Sequence, residues 1–194
     1  MADRSSKAIE IMAQTRQLLT TGGYKSFSYA DLAERVAIRK ASIHHHFPGK
    51  ADLVKAVVES YRAEARAGMQ AMDEQINDPL VQVKAYVDYW AHCIQEGTSP
   101  FCICVMLAVE MPTLPEAVAQ EVTGHFSDLS GWLARQLAKG QQAGVFHLSD
   151  NAETEAKALM AGVHGAMLAA RAFNNPDVFT QIAHPLLHKL TRQS

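Results

Sequence analysis

Apolar residues recur along this chain with the spacing of α-helices, and turn-forming residues separate the recurring segments. Near the N-terminus, Ile11, Leu18 and Leu19 fall on one face of a first predicted helix, which a glycine pair at positions 22–23 would end. A long amphipathic stretch that begins at Lys50 repeats the pattern. Strands are not needed anywhere in the chain, so the sequence predicts an all-α fold.

Proline, glycine and asparagine divide the pattern into about nine helices. The predicted helices cover approximately residues 5–21, 28–36, 39–47, 50–72, 80–96, 101–110, 115–142, 151–173 and 177–192. The segment 101–110 is short and almost wholly apolar, which predicts that it is buried. Break signals are predicted at residues 77–79 and 97–100.

The second and third predicted helices have the pattern of a helix-turn-helix. Ser28 followed by Asp31 is a capping signal that starts the second helix. A turn follows at Ala37 and Ile38, after which about two helical turns reach the break at residues 48–49. Two short helices in this arrangement place the second one in the DNA major groove, where all four base pairs can be distinguished.

The segment from Phe27 to Lys50 resembles the DNA-binding domain of the TetR family of bacterial transcription repressors. The matching positions, without insertion or deletion, are Phe27, Ser28, Leu32, Ala33, Ser42, Ile43, His44, His46, Phe47 and Lys50. Ala37 replaces the usual glycine of the turn, and His44 replaces the usual tyrosine. The specific match covers about the first 60 residues, and beyond them it is architectural.

The resemblance implies two domains and a function. Residues 1–49 are expected to form a three-helix DNA-binding domain, and residues 50–194 a helical bundle for ligand binding and dimerisation. The implied function is a repressor that binds a palindromic operator in double-stranded DNA as a homodimer and is released by a small-molecule inducer. Two half-sites would lie roughly 34–36 Å apart, or a multiple of that spacing.

The candidate DNA contacts lie on the predicted recognition helix and at the starts of its neighbours. Arginine and lysine suit guanine edges or phosphates, and serine and histidine suit bases or phosphate oxygens. The resemblance implies that Ser28 and Lys50 hold phosphates. The set is Ser28, Arg39, Lys40, Ser42, His44, His45 and Lys50.

The charge distribution agrees with this interpretation without deciding it. The net charge is −2, yet residues 1–62 contain ten Lys and Arg against six Asp and Glu, and the remainder eight against fourteen. The three cysteines fit a reducing compartment better than a disulfide framework. No apolar run approaches a membrane span and no leader opens the chain, so a cytoplasmic protein without a membrane partner is expected.

Two groups of potential metal ligands are not predicted to bind metal. The consecutive histidines 44–46 would point about 100° apart on a helix and cannot converge on one ion. Cys102 and Cys104 are expected on opposite sides of a helix. The first interpretation is that both cysteines are small buried hydrophobic residues. A resemblance of residues 101–118 to the NemR-type branch of the family raises an alternative, electrophile or redox sensing by Cys102, although Pro112 occupies the position of that branch's main reactive cysteine.

The C-terminal body contains candidate ligand contacts, which are equally consistent with ordinary core positions. They are aromatic, sulfur-containing or polar residues on largely apolar helix faces. The candidate set is Tyr86, Tyr89, Trp90, Cys102, Met106, Glu110, His125, Phe126, Trp132 and His164. The sequence has no nucleophile triad, glycine-rich phosphate loop or zinc-protease motif, so an enzyme is not favoured and no cofactor is predicted.

The eighth predicted helix has a face of small residues. Glycine inside a helix costs roughly 1 kcal/mol relative to alanine, so its placement suggests a close helix crossing. The resemblance implies that the last two helices pair with their counterparts in a second copy. The predicted interface residues are Ala158, Gly162, Gly165, Ala166 and Ala169.

Overall fold

The structure is a computed structural model that describes residues 5–97 and 101–191. Within these ranges it contains nine α-helices, two 3-10 turns and no β-strand, which confirms the predicted all-α class. The helices are α1 (Ser6–Gly22), α2 (Tyr29–Val36), α3 (Lys40–His46), α4 (Lys50–Gln75), α5 (Pro79–Gln95), α6 (Ile103–Ala108), α7 (Glu116–Gln142), α8 (Ala152–Ala172) and α9 (Asp177–Thr191). The 3-10 turns are Tyr24–Ser26 and Met111–Thr113.

The chain divides into two compact units. The first unit comprises Met1–Glu64 and Cys102–His125, and the second comprises Ala65–Phe101 and Phe126–Ser194. Both α4 and α7 continue from one unit into the other. The functional boundary predicted between residues 49 and 50 remains a prediction.

The first unit is built around α1, which packs against α2 and α6. Buried apolar residues of these helices and of α3 and α4 form its core, because each helix has an apolar face at helical spacing. Fully buried members include Ile11, Leu19, Leu32, Ile43, Leu53, Ile103 and Leu107.

In the second unit, α8 packs along α9, and α5 also contacts α9. Trp132, Phe146 and Phe179 are fully buried there. Gly140 is required beside Phe146, since a Cβ at this position would overlap the phenyl ring. No helix in the described part of the chain combines the length and apolar character needed to cross a membrane.

One helix differs from the predicted pattern. The helix expected over residues 101–110 is shorter, because Cys102 has extended backbone angles (φ −72°, ψ 122°) and α6 begins only at Ile103. Pro185 lies inside α9, within the helix predicted over residues 177–192. The predicted break at residues 98–100 and the predicted helix end near Arg192 lie outside the described residues.

Candidate DNA-binding surface and buried polar clusters

The start of α2 is fixed by a reciprocal cap. The Ser28 hydroxyl accepts hydrogen bonds from the backbone N–H groups of Ala30 (3.2 Å) and Asp31 (3.4 Å). The Asp31 carboxylate in turn accepts from the N–H and the hydroxyl of Ser28, at 2.7 and 2.8 Å. These hydrogen bonds lower the pKa of the Asp31 carboxyl group. Ser28 is exposed, so its hydroxyl is both a helix cap and a group accessible to a phosphate.

The turn between α2 and α3 depends on a left-handed residue. Ala37 has φ 54° and ψ 46°, and its N–H donates to the Ala33 and Glu34 carbonyls, while Ile38 N–H donates to Ala33 O at 3.0 Å. Ala37 therefore adopts a positive φ in this turn. An L-amino acid is disfavoured in this conformation, which explains why glycine would suit the turn better.

α3 presents its polar side chains to solvent and anchors itself through one residue. Arg39, Lys40, Ser42 and His45 are exposed, whereas Ile43 is completely buried. The sequence of α3 contains no acidic residue. The exposed face is therefore a cationic, hydrogen-bonding surface held in place by an apolar anchor.

His44 is exposed but is held by two local contacts. Its Nδ1 lies 3.0 Å from the Pro48 carbonyl oxygen, to which a protonated Nδ1 donates. Its ring lies 4.8 Å from the Tyr29 ring in an edge arrangement, and the Tyr29 hydroxyl donates to Phe47 O at 3.1 Å. The ring orientation leaves Nε2 as the nitrogen available for an external contact.

Lys50, the first residue of α4, is half-buried against aromatic rings. Its ammonium group lies 4.1 Å from the Phe27 ring centre and 4.7 Å from that of Tyr24, and it donates to the Phe27 carbonyl. Burial lowers the pKa of Lys50, and the nearby carboxylates of Glu110 and Asp31 oppose this effect. The cation is thus positioned by aromatic and backbone contacts at the end of the helix-turn-helix.

Glu110 joins the same region from far along the sequence. Its carboxylate accepts hydrogen bonds from the backbone N–H groups of Tyr24 and Lys25, the latter at 3.1 Å. Gly23 has φ 81°, and a Cβ there would overlap the Glu110 carboxylate. No local sequence signal indicates this contact, because its partners are separated by 85 and 86 residues.

Cys102 and Cys104 belong to a second polar group inside the first unit, and their predicted arrangement was wrong. Cys102 and Cys104 were expected on opposite sides of a helix, but Cys102 precedes α6 and the helical 100° step does not apply. The sulfur atoms of both cysteines and a ring nitrogen of His125 lie within 4.8 Å of one another. The Tyr61 hydroxyl donates to Cys102 Sγ at 3.2 Å. Burial raises the pKa of the Cys104 thiol well above its ordinary value.

In the second unit, Asp73 organises a partly buried polar group. Its Oδ1 accepts from Trp132 Nε1 at 3.0 Å and from Gln136 Nε2 at 2.8 Å. Gln136 is fully buried, and its Oε1 has no hydrogen-bond partner among the described residues. Gln136 was not among the predicted ligand contacts, since nothing in the local pattern distinguishes it from a surface glutamine.

Comparison with known proteins identifies the family of this chain. The family model for bacterial regulatory proteins of the tetR family matches residues 11–57, and that for the tetracyclin repressor-like C-terminal domain matches residues 79–185. A TetR-family transcriptional regulator of known structure from Agrobacterium tumefaciens is 49% identical, with a TM-score of 0.94 over 96% of this chain and 98% of that one. The chain belongs to the TetR family. It is therefore a DNA-binding transcriptional regulator, a class of protein that is not enzymatic.

Two further relatives are more distant. The transcriptional regulator AcuR of Cereibacter sphaeroides is 26% identical over 176 residues, which cover 90% of this chain and 77% of AcuR. The reduced form of NemR from E. coli has a TM-score of 0.82 at 17% identity, over 95% of this chain and 97% of that one. At that identity NemR shows a common fold only.

The ten predicted ligand contacts of this TetR-family chain are divided between the two units. Cys102, Met106, Glu110 and His125 belong to the first unit and the remaining six to the second. Within the second unit, three aromatic pairs have ring centres 5.3–6.3 Å apart, and Tyr89 is 55% exposed. The pairs are Tyr86–Trp132, Tyr89–Trp90 and Phe126–His164. A groove of about 730 Å³ between residues 127–138 of α7 and 151–157 includes none of the ten.

The five predicted interface residues of the TetR-family chain differ in their surroundings. Ala166 is buried within its own chain, and a Cβ at Gly162 would overlap Leu186 of α9. Ala158 and Gly165 are exposed, and Ala169 is partly exposed. A Cβ at Gly165 would meet no heavy atom of the described chain within 4 Å.

Proposed function

We propose that this regulator is a repressor that binds a palindromic operator as a homodimer and is released by a small molecule bound in the second unit. The observation that carries the DNA-binding part is the exposed, acid-free surface of α3 anchored by Ile43. Arg39, Lys40 and Ser42 provide groups that suit base edges. His45 and Lys50 provide donors suited to phosphate oxygens, as does Ser28 if its hydroxyl turns away from Asp31. His44 Nε2 donates to a phosphate when both ring nitrogens are protonated.

The exposed small-residue face of α8 supports the dimer. Leu186 explains glycine at position 162 within one chain, whereas the described residues give no packing reason for glycine at position 165. A helix-interior glycine costs roughly 1 kcal/mol, so a close approach by a second copy would explain its presence. Leu168, 46% exposed on the same helix, adds apolar area to this face.

Two buried amide oxygens support ligand binding in the second unit. Gln136 Oε1 and Gln82 Oε1 are buried without a hydrogen-bond partner among the described residues. Ligand pockets combine apolar walls with a few such polar groups, and Trp132 and Tyr86 would supply the walls. Release from DNA requires that the inducer bind the non-DNA state more tightly than the DNA-bound state.

The DNA-binding proposal is tested by fluorescence anisotropy with the DNA upstream of the coding region, across a salt series with nonspecific competitor. Competitor-resistant binding at two protomers per site, or a multiple, is expected. Lys50→Ala should weaken binding to all sequences equally and reduce the salt slope by about one. Lys7→Ala, which removes a surface cation paired with Glu10, is the control and should leave the slope unchanged. An unchanged slope for Lys50→Ala would limit Lys50 to its contacts with Tyr24 and Phe27.

The dimer proposal is tested with a matched pair of glycine substitutions. A Cβ at Gly68 of α4, like one at Gly165, would meet no described heavy atom within 4 Å. Gly165→Arg should convert the dimer to monomer in light scattering and abolish competitor-resistant operator binding, whereas Gly68→Arg should do neither. A dimeric Gly165→Arg variant would place the interface elsewhere.

A further inference from the structure

The buried cluster of Cys102, Cys104 and His125 has a donor set that neither DNA binding nor the proposed inducer site uses. The two cysteines are 0% exposed and His125 is 4% exposed. Cys102 Sγ lies 3.9 Å from His125 Nε2, and all three potential ligand atoms lie within 4.8 Å of one another. They come from the residue before α6, from α6 itself and from α7, so they converge only in the folded chain.

These separations are close to those around a single metal ion. Zinc–sulfur and zinc–nitrogen bonds of about 2.3 and 2.1 Å in a tetrahedron place sulfur atoms roughly 3.8 Å apart and sulfur and nitrogen roughly 3.6 Å apart. The observed separations exceed these values by roughly one ångström at most. Side-chain rotation of that size brings the three atoms into a shared coordination sphere. The Tyr61 hydroxyl, 3.2 Å from Cys102 Sγ, lies within reach of a fourth position.

Charge decides which class of ion fits. A divalent ion with two thiolates and a neutral imidazole is electrically neutral, whereas a monovalent ion would leave a buried negative charge. The nearby arginines do not require such an anion, because Arg16 pairs with Glu64 at 2.7 Å and Arg62 with Glu121 at 3.1 Å. Two thiolates and an imidazole are the ligands that zinc-like ions prefer.

We propose that Cys102, Cys104 and His125 form a binding site for one thiophilic divalent metal ion of the zinc class. Binding releases the two thiol protons to solvent and forms two metal–sulfur bonds and one metal–nitrogen bond. The ion links the start of α6 to α7 inside the first unit. The site is independent of the proposed repressor function, and its test requires no DNA.

The test is a titration of the reduced, chelator-treated full-length protein with Co²⁺, which reports thiolate ligands by a sulfur-to-cobalt charge-transfer band. One equivalent per chain should give this band together with the visible bands of tetrahedral cobalt, and Zn²⁺ should abolish both. Cys102→Ser, Cys104→Ser and His125→Gln should each weaken binding by at least about 100-fold. Cys93→Ser is the matched control, because Cys93 is also buried but belongs to α5 of the second unit.

Several outcomes would contradict the proposed metal site. They are the absence of a charge-transfer band in the wild type, or a band that survives when both Cys102 and Cys104 are replaced. Cobalt bound without sulfur ligands would place the ion at another, adventitious site and contradict the proposal. If a variant does not fold, X-ray absorption of the zinc-loaded wild type decides, since two sulfur atoms and at least one nitrogen are required. A Cys102–Cys104 disulfide that forms in air while the reduced protein ignores metal would make the pair a redox element.

Discussion

The recognition surface on α3 and the cysteine–histidine cluster are both polar, but they are assembled in opposite ways. The α3 surface uses side chains within a few positions of one another, and each of them is exposed to water. The cluster unites Tyr61, Cys102, Cys104 and His125, whose side chains are nearly or fully excluded from solvent. A polar group on the surface needs no protein partner, whereas a buried one must find hydrogen bonds, a counter-charge or an ion.

This difference explains why one region can be read from sequence and the other cannot. Exposed cations and caps act through their own helix, so neighbouring residues carry the signal. The cluster depends on where α6 begins and which face of α7 it meets. Polar residues at such places look like ordinary core positions until their neighbours are known.

The largest effect on the free energy of unfolding is expected at Ile43, the buried residue of α3. Ile43→Ala should lower the free energy of unfolding by about 2–5 kcal/mol, because it removes apolar atoms from a completely buried position. Ser42→Ala, on the exposed face next to it, should change it by less than about 0.5 kcal/mol. Urea denaturation followed by circular dichroism measures both. Equal effects would mean that α3 is not anchored through Ile43.

Arg39→Ala should affect operator binding more than stability. Operator affinity should fall by about 1–3 kcal/mol, with relaxed preference at one base pair, while unfolding changes by less than about 0.5 kcal/mol. Anisotropy with a set of single-base operator variants measures the preference. A uniform loss on every sequence would instead assign Arg39 to the phosphate backbone.

Glu110→Ala tests the long-range contact to the 3-10 turn Tyr24–Ser26. It should cost about 1–2 kcal/mol of stability, because the N–H groups of Tyr24 and Lys25 lose a charged acceptor. Glu110→Gln retains one acceptor oxygen and should recover part of the loss. Glu10→Ala, which removes an exposed ion pair with Lys7, is the control and should have little effect in the same denaturation assay. Equal values for Glu110→Ala and Glu10→Ala would reduce the contact to a surface interaction.

The smallest effect should be a gain. Ala37→Gly should stabilise the protein by up to about 1 kcal/mol, because glycine adopts φ 54° without the penalty of a Cβ, offset in part by its greater freedom in the unfolded chain. Ala37→Val should destabilise it, since a β-branched residue is less tolerant of this conformation. Melting temperatures of the three proteins provide the measurement, and a less stable Gly variant would contradict the expectation.

The sequence by itself determined the helix-turn-helix, the all-α class and the order of the helices. The Ser28–Asp31 cap, the turn at Ala37 and the periodic apolar faces each act within one or two helical turns, so a short stretch of sequence contains the whole cause. The proposed DNA contacts on α3 were visible in the sequence for the same reason, since their surroundings are solvent.

Only the tertiary structure decided which distant side chains meet. A continuous helix would separate the two cysteines Cys102 and Cys104. The extended backbone at Cys102 instead brings both sulfur atoms close to His125. Packing also brought Glu110 to the 3-10 turn at Tyr24 and distinguished Gly162, which faces Leu186, from Gly165, which faces no described atom of its own chain. These outcomes depend on how elements pack across long sequence separations, and a helix has the same local pattern whichever partner covers it.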